Sequence, residues 1–471
     1  MLKGLEISEV HLKEATQENR IDAEHYKKEY LEYDKLLCGR MAKDLREVTD
    51  SIQNFGAYSL CNYINFVKSG IPFLMVQDIG NNVINWNINR FVDEASHKML
   101  FKSHCRKNQV LMPMAGSLGN AAVYDKDFIC SSNQAIAKIT PSKGLNSYYL
   151  STYLSSKFGR YQILKYQTAT AQPNINMGFI GNIRIPILSA SFQEHVAGVV
   201  KEAHLLLDKA SEEYRVVEAT LLKELGFDGW TPTEESVSVK NCSDFMSAGR
   251  FDAEYFQPKY DELFTLLAKC KVRVLGGKDG LVDIKRSIEP GSDAYSDKGI
   301  PFVRIADFIE MGVASPEIHI PPELCADSPR PKKDTILLSK DGSVGIAYKV
   351  EEDLDVVTSS GILHLTVKDN AVLPDYLTLV FNSKIVRLQA ERSAGGSIIQ
   401  HWKQSEIENV LIPILPMSSQ QKITAKVRES FALRAESKRL LDLAKHAVEV
   451  AIEQGEEKAM EALEKEIGHA N

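Results

Sequence analysis

The sequence predicts an α+β protein in which two tandem-repeat α/β globular domains are separated by two long antiparallel coiled-coil helices. Three observations predict this class. Short motifs recur in the same order in both halves, helical and strand-like stretches alternate within each half, and a long helical stretch follows each half. The 471 residues are 44% hydrophobic and 25% charged, which is ordinary for a globular protein. A chain of this length holds roughly two to four domains.

Internal repetition is the strongest feature of the sequence. Six short motifs each occur twice at an offset of about 226–230 residues. The paired copies are residues 20–26 and 250–256, 70–74 and 299–303, 116–119 and 342–345, 149–157 and 376–384, 185–188 and 412–415, and the glutamines Gln193 and Gln420. One such match could arise by chance, but six in the same order indicate that the chain carries a duplicated unit.

Each copy is expected to contain a helix, a group of short strands, a second helix and a closing strand. Charged stretches that are nearly free of proline predict the helices, and short apolar runs between Gly, Pro, Asn and Asp predict the strands. The predicted elements are 20–46, 46–140, 146–166 and 182–188 in the first copy, and 250–269, 271–367, 374–391 and 409–415 in the second.

A long helix is predicted after each copy. Across residues 196–221 the apolar positions recur at alternating spacings of four and three, which is typical of a coiled-coil seam, and the pattern stops at Gly226. The C-terminal stretch begins near Ser418 and has a looser seam, which Arg434 and Lys438 interrupt. Helices of this length have little reason to stay solvated, so we expect them to pair with each other in antiparallel orientation.

These patterns predict five segments. They are a first globular domain at 1–190, a central spacer helix at 191–228, a linker at 229–248, a second globular domain at 249–416, and a C-terminal spacer helix and tail at 417–471.

Catalytic motifs are absent from the sequence. It has no phosphate-binding loop, dinucleotide-binding glycine motif, zinc-binding pattern or nucleophile elbow, and no Asn/Asp-Pro-Pro-aromatic element of the kind that amino-methyltransferases use. We therefore expect no catalytic residue, no metal and no cofactor in this chain. Seven scattered cysteines without a C-x-x-C pair, no signal peptide and no membrane-spanning stretch predict a cytoplasmic protein.

Two alternatives from other functional classes stay open. One is a stand-alone DNA-modifying or DNA-cleaving enzyme, whose candidate carboxylates would be Asp22, Glu24, Asp252 and Glu254 in the repeated R-x-D-A-E motif. The repetition and the helical context of these residues favour a cap or a salt bridge instead. The other alternative is a coiled-coil scaffold without DNA contact, which predicts no salt-dependent affinity for DNA.

Positive charge is concentrated in the first copy. Residues 51–190 contain 13 basic and 5 acidic residues, a net charge of +8, whereas the whole chain has a net charge of −7. Residues 271–416 contain 17 basic and 21 acidic residues, a net of −4. This asymmetry favours a surface on the first copy that faces a polyanion. The loop 167–176 is rich in Asn and Gln, whose amides pair with adenine edges in the major groove, although a solvated turn is an equal alternative.

The repeated motifs resemble the specificity subunit of type I restriction–modification systems. The resemblance covers nearly the whole chain. It rests on G-I-P-F followed by Asp (70–78, 299–307), G-S-x-G (116–119, 342–345), Tyr-Leu followed by Ser-Lys (149–157, 376–384), I-P-I-L followed by Gln (185–193, 412–420), and the segment 250–258. The copies differ just before G-S-x-G, where Met114 and Ala115 stand in the first and Lys340 and Asp341 in the second.

The resemblance implies two target recognition domains, each reading one half of a bipartite DNA site. It also implies that the helices set the spacing of the half-sites and hold two methyltransferase subunits, with restriction subunits joining through the complex. Catalysis would then lie on partner chains, and this chain would be a non-catalytic DNA-recognition subunit.

Twelve residues are the candidates for DNA contact. In the first domain, Lys68, Arg90, Lys102 and Lys165 are expected at phosphates, the loop residues Gln172 and Asn174 at bases, and Asn176 of the same loop in contact with DNA. The candidates of the second domain are Arg304, Lys340, Arg392, Ser397 and Gln400, and its loop 392–401 also offers His401.

Overall fold

A computed structural model describes residues 7–18, 21–55, 63–167, 173–309, 311–313, 316–395 and 400–468. The chain divides into two compact units. The first unit comprises Met1–Leu207 and Arg434–Asn471, and the second comprises Asp208–Leu433. Each unit therefore contains one copy of the repeat together with part of each long helix.

The first unit builds its copy of the repeat from six helices and ten strands within the part that the structure describes. The helices are α1 (Leu12–Glu18), α2 (Lys28–Cys38), α3 (Glu94–Met99), α4 (Ser147–Ser155), α5 (Lys157–Lys165) and α6 (Met177–Ile180). The strands are β1 (Ala42–Asp44), β2 (Thr49–Gln53), β3 (Phe66–Val67), β4 (Ile71–Leu74), β5 (Phe91–Val92), β6 (Val110–Pro113), β7 (Ala122–Val123), β8 (Ser131–Ser132), β9 (Ile136–Pro141) and β10 (Arg184–Pro186).

The second unit repeats this order with small differences. Its helices are α8 (Cys242–Ala248), α9 (Pro258–Leu267), α10 (Pro374–Asn382), α11 (Lys384–Ser393) and α12 (Gln404–Glu408). Its strands are β11 (Val272–Val274), β12 (Val282–Arg286), β13 (Ile300–Val303), β14 (Phe308–Ile309), β15 (Gly312–Val313), β16 (His319–Ile320), β17 (Ile336–Ser339), β18 (Ala347–Lys349), β19 (Val357–Thr358), β20 (Ile362–Val367) and β21 (Leu411–Pro413). The long helices are α7 (Ala190–Glu224) and α13 (Met417–Gln454), and α14 (Glu456–Gly468) follows the latter.

The sheets show the duplication most directly. The order β2-β9-β6-β7 in the first unit corresponds to β12-β20-β17-β18 in the second, and all pairs in both sheets are antiparallel. In each unit a smaller sheet contains one parallel pair, which is β4 with β8 in the first and β13 with β19 in the second. The closing strand returns to pair with the first strand, as β1 with β10 and β11 with β21.

The predicted single helix after the strands is two helices in both copies. Ser156 separates α4 from α5 with an extended backbone, and its hydroxyl accepts a hydrogen bond from the Gly159 amide. Ser383 separates α10 from α11 and accepts from the Ile385 amide. A serine N-cap starts a new helix because its side chain satisfies an amide that has no partner within the helix. Gly159 must lack a side chain, since a Cβ there would lie 2.3 Å from the Tyr153 carbonyl oxygen.

The helix predicted at the start of each copy is shorter than expected. Within the predicted stretches 20–46 and 250–269 the α-helical segments among the described residues are α2 and α9, and a capped turn precedes each of them. Asp22 Oδ1 accepts from the His25 amide at 3.1 Å, and Asp252 Oδ1 accepts from the Tyr255 amide at 3.1 Å. An aspartate in this position favours a local turn over a continuous helix.

The long helices run antiparallel within each unit. In the first unit Ser437 Oγ donates to the Ala203 carbonyl at 2.7 Å, while the Ser189 amide donates to Glu456 Oε1 at 2.9 Å. In the second unit Ser430 Oγ donates to the Ala210 carbonyl at 2.7 Å. Ser430 and Ser437 are both buried. The seam of α13 therefore passes through these small serines, and Ser437 lies between Arg434 and Lys438, where the sequence predicted an interruption.

No helix in the described part of the chain combines the length and the apolar character that crossing a membrane requires.

Candidate nucleic-acid interface

The G-S-x-G motif forms the same turn in both units, and its first glycine is exposed in each. In the first unit it follows β6, and Gly116 and Gly119 have φ of +73° and +86°. In the second unit it follows β17, and Gly342 and Gly345 have φ of +67° and +84°. Residues with a side chain rarely adopt these angles, which explains why both glycines are present in both copies. We refer to residues 114–119 and 340–345 as the reading turns.

A second segment lies beside each reading turn. The Ile175 amide donates to the Met114 carbonyl at 2.9 Å, and the Trp402 amide donates to the Lys340 carbonyl at 2.7 Å. Ile175 and Trp402 are both buried, so these two residues anchor the segment in the same way in each unit. The residue before each anchor, Asn174 or His401, is exposed. The structure thus places the described ends of the predicted polar loops, 173–176 and 400–401, against the G-S-x-G turns.

The two candidate interfaces, each formed by a reading turn and the segment beside it, share a backbone arrangement but differ in charge. Strand register places Asn54 of the first unit at the position of Arg286 in the second. Four positions therefore correspond in pairs: Asn54 to Arg286, Met114 to Lys340, Ala115 to Asp341, and Asn174 to His401. The first set is uncharged, and Asn54 Nδ2 lies 3.8 Å from Met114 Sδ.

The second set is an ionic cluster. Lys340 Nζ lies 2.5 Å from one oxygen of Asp341, and His401 Nδ1 lies 2.7 Å from the other. His401 nevertheless remains 63% exposed at its side chain. The carboxylate of Asp341 fixes the orientation of the imidazole and leaves its other nitrogen directed away from this pair.

The candidate phosphate ligands of the first unit fall into two groups. Lys68, Arg90 and Lys102 have exposed side chains, and Lys102 Nζ lies 6.0 Å from the Phe101 ring centroid. Lys165 is different, because its side chain is 7% exposed and its Nζ lies 2.8 Å from Asp34 Oδ2. Asp34 also accepts from the Tyr161 hydroxyl at 2.8 Å. A buried, paired ammonium is poorly placed to bind a phosphate, so Lys165 leaves the set of candidates.

Arg392 occupies the position of Lys165 in the second unit. Its guanidinium stacks 4.0 Å from the Tyr255 ring centroid and 4.8 Å from that of Phe264, and its Nε donates to the Tyr255 carbonyl. Cation–π contacts thus take the place that the ion pair fills in the first unit. Both basic residues hold the end of a helix in place. This structural role explains why a basic residue is present at each position without requiring a contact with DNA.

Arg304 has a local role as well. Its Nε lies 3.1 Å from Asp307 Oδ2, and the same carboxylate oxygen accepts from the Arg304 amide at 3.0 Å. Asp78 accepts from the Met75 amide at 2.7 Å in the equivalent turn of the first unit. Burial raises the pKa of Asp78 above its ordinary value. The acidic residue after each G-I-P-F motif therefore closes a short turn.

The remaining candidates lie in or near the two loops. Asn176 is exposed, and its side-chain oxygen caps α6 by accepting from the Phe179 amide at 3.1 Å. Gln400 is exposed, and its carbonyl accepts from the Gly342 amide at 2.9 Å. Gln172 and Ser397 fall in 168–172 and 396–399, which lie outside the described residues.

Sequence reasoning missed several residues that shape these sites. Gln162 and Gln389 each bond the backbone of the closing strand twice, through Arg184 and Leu411 respectively. Their equal placement on α5 and α11 was the available signal. In the second unit it also missed Arg286, Gln404 and Glu408, which line a groove beside the reading turn.

Three of the four carboxylates considered for catalysis, Asp22, Glu24 and Asp252, have structural partners. Asp252 Oδ2 lies 2.8 Å from Arg250 Nε, and this hydrogen bond lowers the pKa of Asp252. Glu24 lies 2.7 Å from Lys27. These contacts, with the two capped turns, support the cap and salt-bridge interpretation for these three residues. Across the described residues, no group of three or more His, Cys, Asp or Glu side chains is arranged to hold a metal ion.

Residues 62–199 and 279–437 match the sequence model of the family described as the type I restriction modification DNA specificity domain. Among curated proteins, the chain is 22% identical over 148 residues to the type I restriction enzyme EcoBI specificity subunit of Escherichia coli, covering 31% of each protein. It is 20% identical over 399 residues to the type I restriction enzyme MjaX specificity subunit of Methanocaldococcus jannaschii, covering 82% of this chain and 85% of that protein. The chain thus spans less than a third of the first relative and most of the second.

Solved structures include two similar chains. One is the S subunit of a type I restriction-modification system from M. genitalium, with 14% identity, a TM-score of 0.33, and coverage of 90% of this chain and 95% of that chain. The other is the HsdS subunit from Thermoanaerobacter tengcongensis, with 15% identity, a TM-score of 0.28, and coverage of 88% and 97%.

Proposed function

The chain belongs to the type I restriction modification DNA specificity family, and on that premise we propose that each of its two units reads one half of a bipartite DNA site. The two α/β domains would be the target recognition domains, at 1–190 and 249–416. The segments 191–228 and 417–471 would be the spacer helices that set the half-site separation, with 229–248 as the linker. Two linked reading domains multiply modest specificities, because binding of the first raises the effective concentration of the second.

One observation carries this proposal. The two units present the same turn and the same adjacent segment, yet the exposed side chains at equivalent positions differ. Asn174 in the first unit corresponds to His401 in the second, and Ala115 corresponds to Asp341. A duplicated scaffold with different side chains on its exposed edge is what two readers of different DNA sequences require.

The partners follow from the same premise. We propose that two methyltransferase subunits dock on the spacer helices, and that restriction subunits join through that complex. The first unit offers support, since a groove of about 480 Å³ lies between α7, α13 and α14. Gly198, Val199, Leu440, Met460 and Leu463 line it, and acidic side chains stand beside them. An apolar groove of this kind suits a helix of a partner protein.

We propose that catalysis belongs to those partners and that this chain is not an enzyme. The absence of catalytic sequence motifs and the structural roles of the R-x-D-A-E carboxylates support this assignment. Methyl transfer from labelled S-adenosylmethionine by the isolated chain would contradict it and would favour the stand-alone enzyme.

The test of DNA reading is binding by the complex assembled with methyltransferase subunits. The complex is incubated with a pool of random duplex DNA, and the bound sequences are determined. We expect a site with two specified halves and an unspecified spacer, and an affinity that falls steeply as salt rises. Binding without any sequence preference would contradict the proposed function. No salt-dependent affinity would instead favour a scaffold.

A further inference from the structure

A groove of about 470 Å³ lies beside the reading turn of the second unit. Its polar lining includes Arg286, Lys340, Asp341, His401, Gln404 and Glu408. Trp402 also lines it and is buried, with an indole N–H that has no acceptor among the residues the structure describes. The groove therefore contains both hydrogen-bond donors and hydrogen-bond acceptors.

The side chain of Arg286 is held by a relay of two residues. Gln404 Nε2 donates to Glu408 Oε1 at 2.8 Å, and Arg286 Nε donates to Gln404 Oε1 at 2.6 Å. The carboxylate of Glu408 can only accept, so it determines which end of the Gln404 amide faces Arg286. Because Nε is occupied, the two terminal nitrogens of Arg286 remain as a parallel pair of donors.

Glu408 is itself fixed by the backbone. Its carbonyl accepts from the Gly276 amide at 2.9 Å. Gly276 must lack a side chain there, since a Cβ would lie 2.6 Å from Glu408 Cγ. A series of hydrogen bonds thus leads from the backbone at Gly276 through Glu408 and Gln404 to the exposed guanidinium of Arg286. Such an arrangement loses little side-chain entropy when the guanidinium binds a ligand.

Asp341 supplies an acceptor in the same groove. One of its oxygens is paired with Lys340 and the other with His401, and its side chain keeps 21% of its exposure. A phosphate offers acceptors alone and would meet two carboxylates in this groove. The major-groove edge of a G·C pair offers both kinds of group, because guanine O6 and N7 accept from arginine and cytosine N4 donates to a carboxylate.

We propose that this groove reads a G·C base pair in the DNA half-site of the second unit, with Arg286 on guanine and Asp341 on the paired cytosine. Gln404 and Glu408 are positioning residues that act through Arg286. The inference rests on the proposed function and names a base pair for one of its two readers. The first unit has Asn54, Met114, Ala115 and Asn174 at the equivalent positions, so its own reading there uses no charged side chain.

The test is selection from random duplex DNA by the assembled full-length complex, followed by affinity measurements on single-base variants of the selected site. The variants are Arg286→Gln and Glu408→Gln, with Lys285→Gln as the matched control. Lys285 is the preceding residue of the same strand and is exposed, so its substitution removes the same charge. Thermal unfolding and assembly of each variant show whether it is folded.

We expect the wild-type site to contain a specified G·C pair that Arg286→Gln no longer distinguishes, a loss of roughly 5- to 150-fold in discrimination at that position. Glu408→Gln should relax the same position by a smaller factor, and Lys285→Gln should leave every base preference intact. An equal loss of affinity for all sequences in Arg286→Gln would identify a phosphate contact and overturn the proposal.

Unchanged preferences in both Arg286→Gln and Glu408→Gln would also overturn the proposal, while leaving the proposed function in place. A wild-type complex that selects no sequence at all would contradict the proposed function and this inference together. The two failures are therefore distinguishable.

Discussion

Gln193 and Gln420 illustrate what the repeated residues do. Gln193 accepts from the Asn146 amide and donates to the Leu188 carbonyl, and Gln420 does the same with Leu373 and Leu415. Repeated side chains of this kind hold the scaffold together in both units. The side chains that differ between the copies, such as Asn174 and His401, are exposed beside the G-S-x-G turns. This difference between repeated and variable residues identifies the candidates for contact with DNA bases.

Replacing Gln420 by leucine should lower the free energy of unfolding by about 2–4 kcal/mol, because the buried carbonyl of Leu415 and the half-buried backbone groups of Leu373 and Ala371 would lose their partner. Urea denaturation of the two proteins measures the difference. The neighbouring Gln421 is exposed, so Gln421→Leu serves as the control and should change the stability little. Equal effects of the two substitutions would show that these hydrogen bonds are unimportant.

Buried His364 should make the second unit sensitive to acid. Burial and the charge of Lys285 lower the pKa of His364 to about 4 from its ordinary value near 6.5, while its Nε2 lies 2.8 Å from Thr358 Oγ1. The unfolded chain takes up a proton there as pH falls below about 6.5, and the folded chain does so only near pH 4. Stability should therefore be lost between these values, by about 3 kcal/mol.

The measurement is the free energy of unfolding as a function of pH for the wild type and for His364→Gln. The difference between the two curves should be concentrated between about pH 6.5 and pH 4, since the carboxylates titrate in both proteins. His401→Gln, at an exposed histidine, is the control. A curve for His364→Gln parallel to that of the wild type would contradict the prediction.

The two kinds of DNA contact in the first unit should separate by their dependence on sequence. Lys102→Ala should weaken binding to all sequences alike and lower the slope of log affinity against log salt by about one. Asn174→Ala should instead relax the preference at one base pair by about 1–3 kcal/mol. Titrations of the assembled complex against the target and its single-base variants, over a salt series, measure both effects.

A separate result would contradict each of these two assignments, the base contact of Asn174 and the phosphate contact of Lys102. If Asn174→Ala keeps every base preference, the exposed segment before Ile175 is a solvated turn. If Lys102→Ala leaves the salt slope unchanged, this face of the first unit lies away from DNA.

Charge alone could not identify the phosphate candidates. Lys165 and Arg392 each stand just before a polar loop, which in the sequence is the expected place for a phosphate ligand. Their partners, Asp34 for the lysine and Tyr255 with Phe264 for the arginine, are more than a hundred residues away along the chain. Only tertiary contacts of this range distinguish a buried anchor from an exposed ligand.

At the scale of elements, spacing predicted the long helix α7 well and the seam of α13 less well. Val196, Val200 and Ala203 are buried, as the alternating spacing predicts. In α13 positions 430 and 437 are serines, not apolar residues, yet both are buried, and each hydroxyl donates to a carbonyl of the facing helix. Polar residues that bond in this way are invisible to a count of apolar positions.

Small residues in these seams should be essential for helix pairing. Ala203→Leu in α7 should destabilise the first unit by about 1–3 kcal/mol, because Ala203 is fully buried and its carbonyl accepts from Ser437 at 2.7 Å. We also expect weaker assembly with methyltransferase subunits. Urea denaturation and size-exclusion chromatography of the mixed subunits measure the two effects.

The matched control for Ala203→Leu is Leu205→Ala, two residues along the same helix, where the side chain is 63% exposed. It should leave the stability nearly unchanged. Wild-type stability and assembly in Ala203→Leu would mean that the helices do not depend on close approach at this point.

At the scale of the whole chain, duplication was readable from sequence because both copies keep their turn glycines and their buried hydrogen-bonding side chains. The position of the readers was harder to predict. Arg286, Gln404 and Glu408 come from a strand and a short helix far apart in sequence. Tertiary contacts bring them together, among them the pairing of β12 with β20 and the contact of Glu408 with Gly276. The net charge of −4 across 271–416 also gives no sign of a DNA-binding surface on this unit.

The central claim is that two units joined by helices of fixed length read two half-sites at a fixed separation. The most direct test is the affinity of the assembled complex for its selected site with the spacer shortened or lengthened by one base pair. One base pair shifts a half-site by about 3.4 Å and rotates it by about 35°. We expect the affinity to fall roughly a hundredfold or more, to that of a single half-site. Equal affinity for all spacer lengths would contradict the claim.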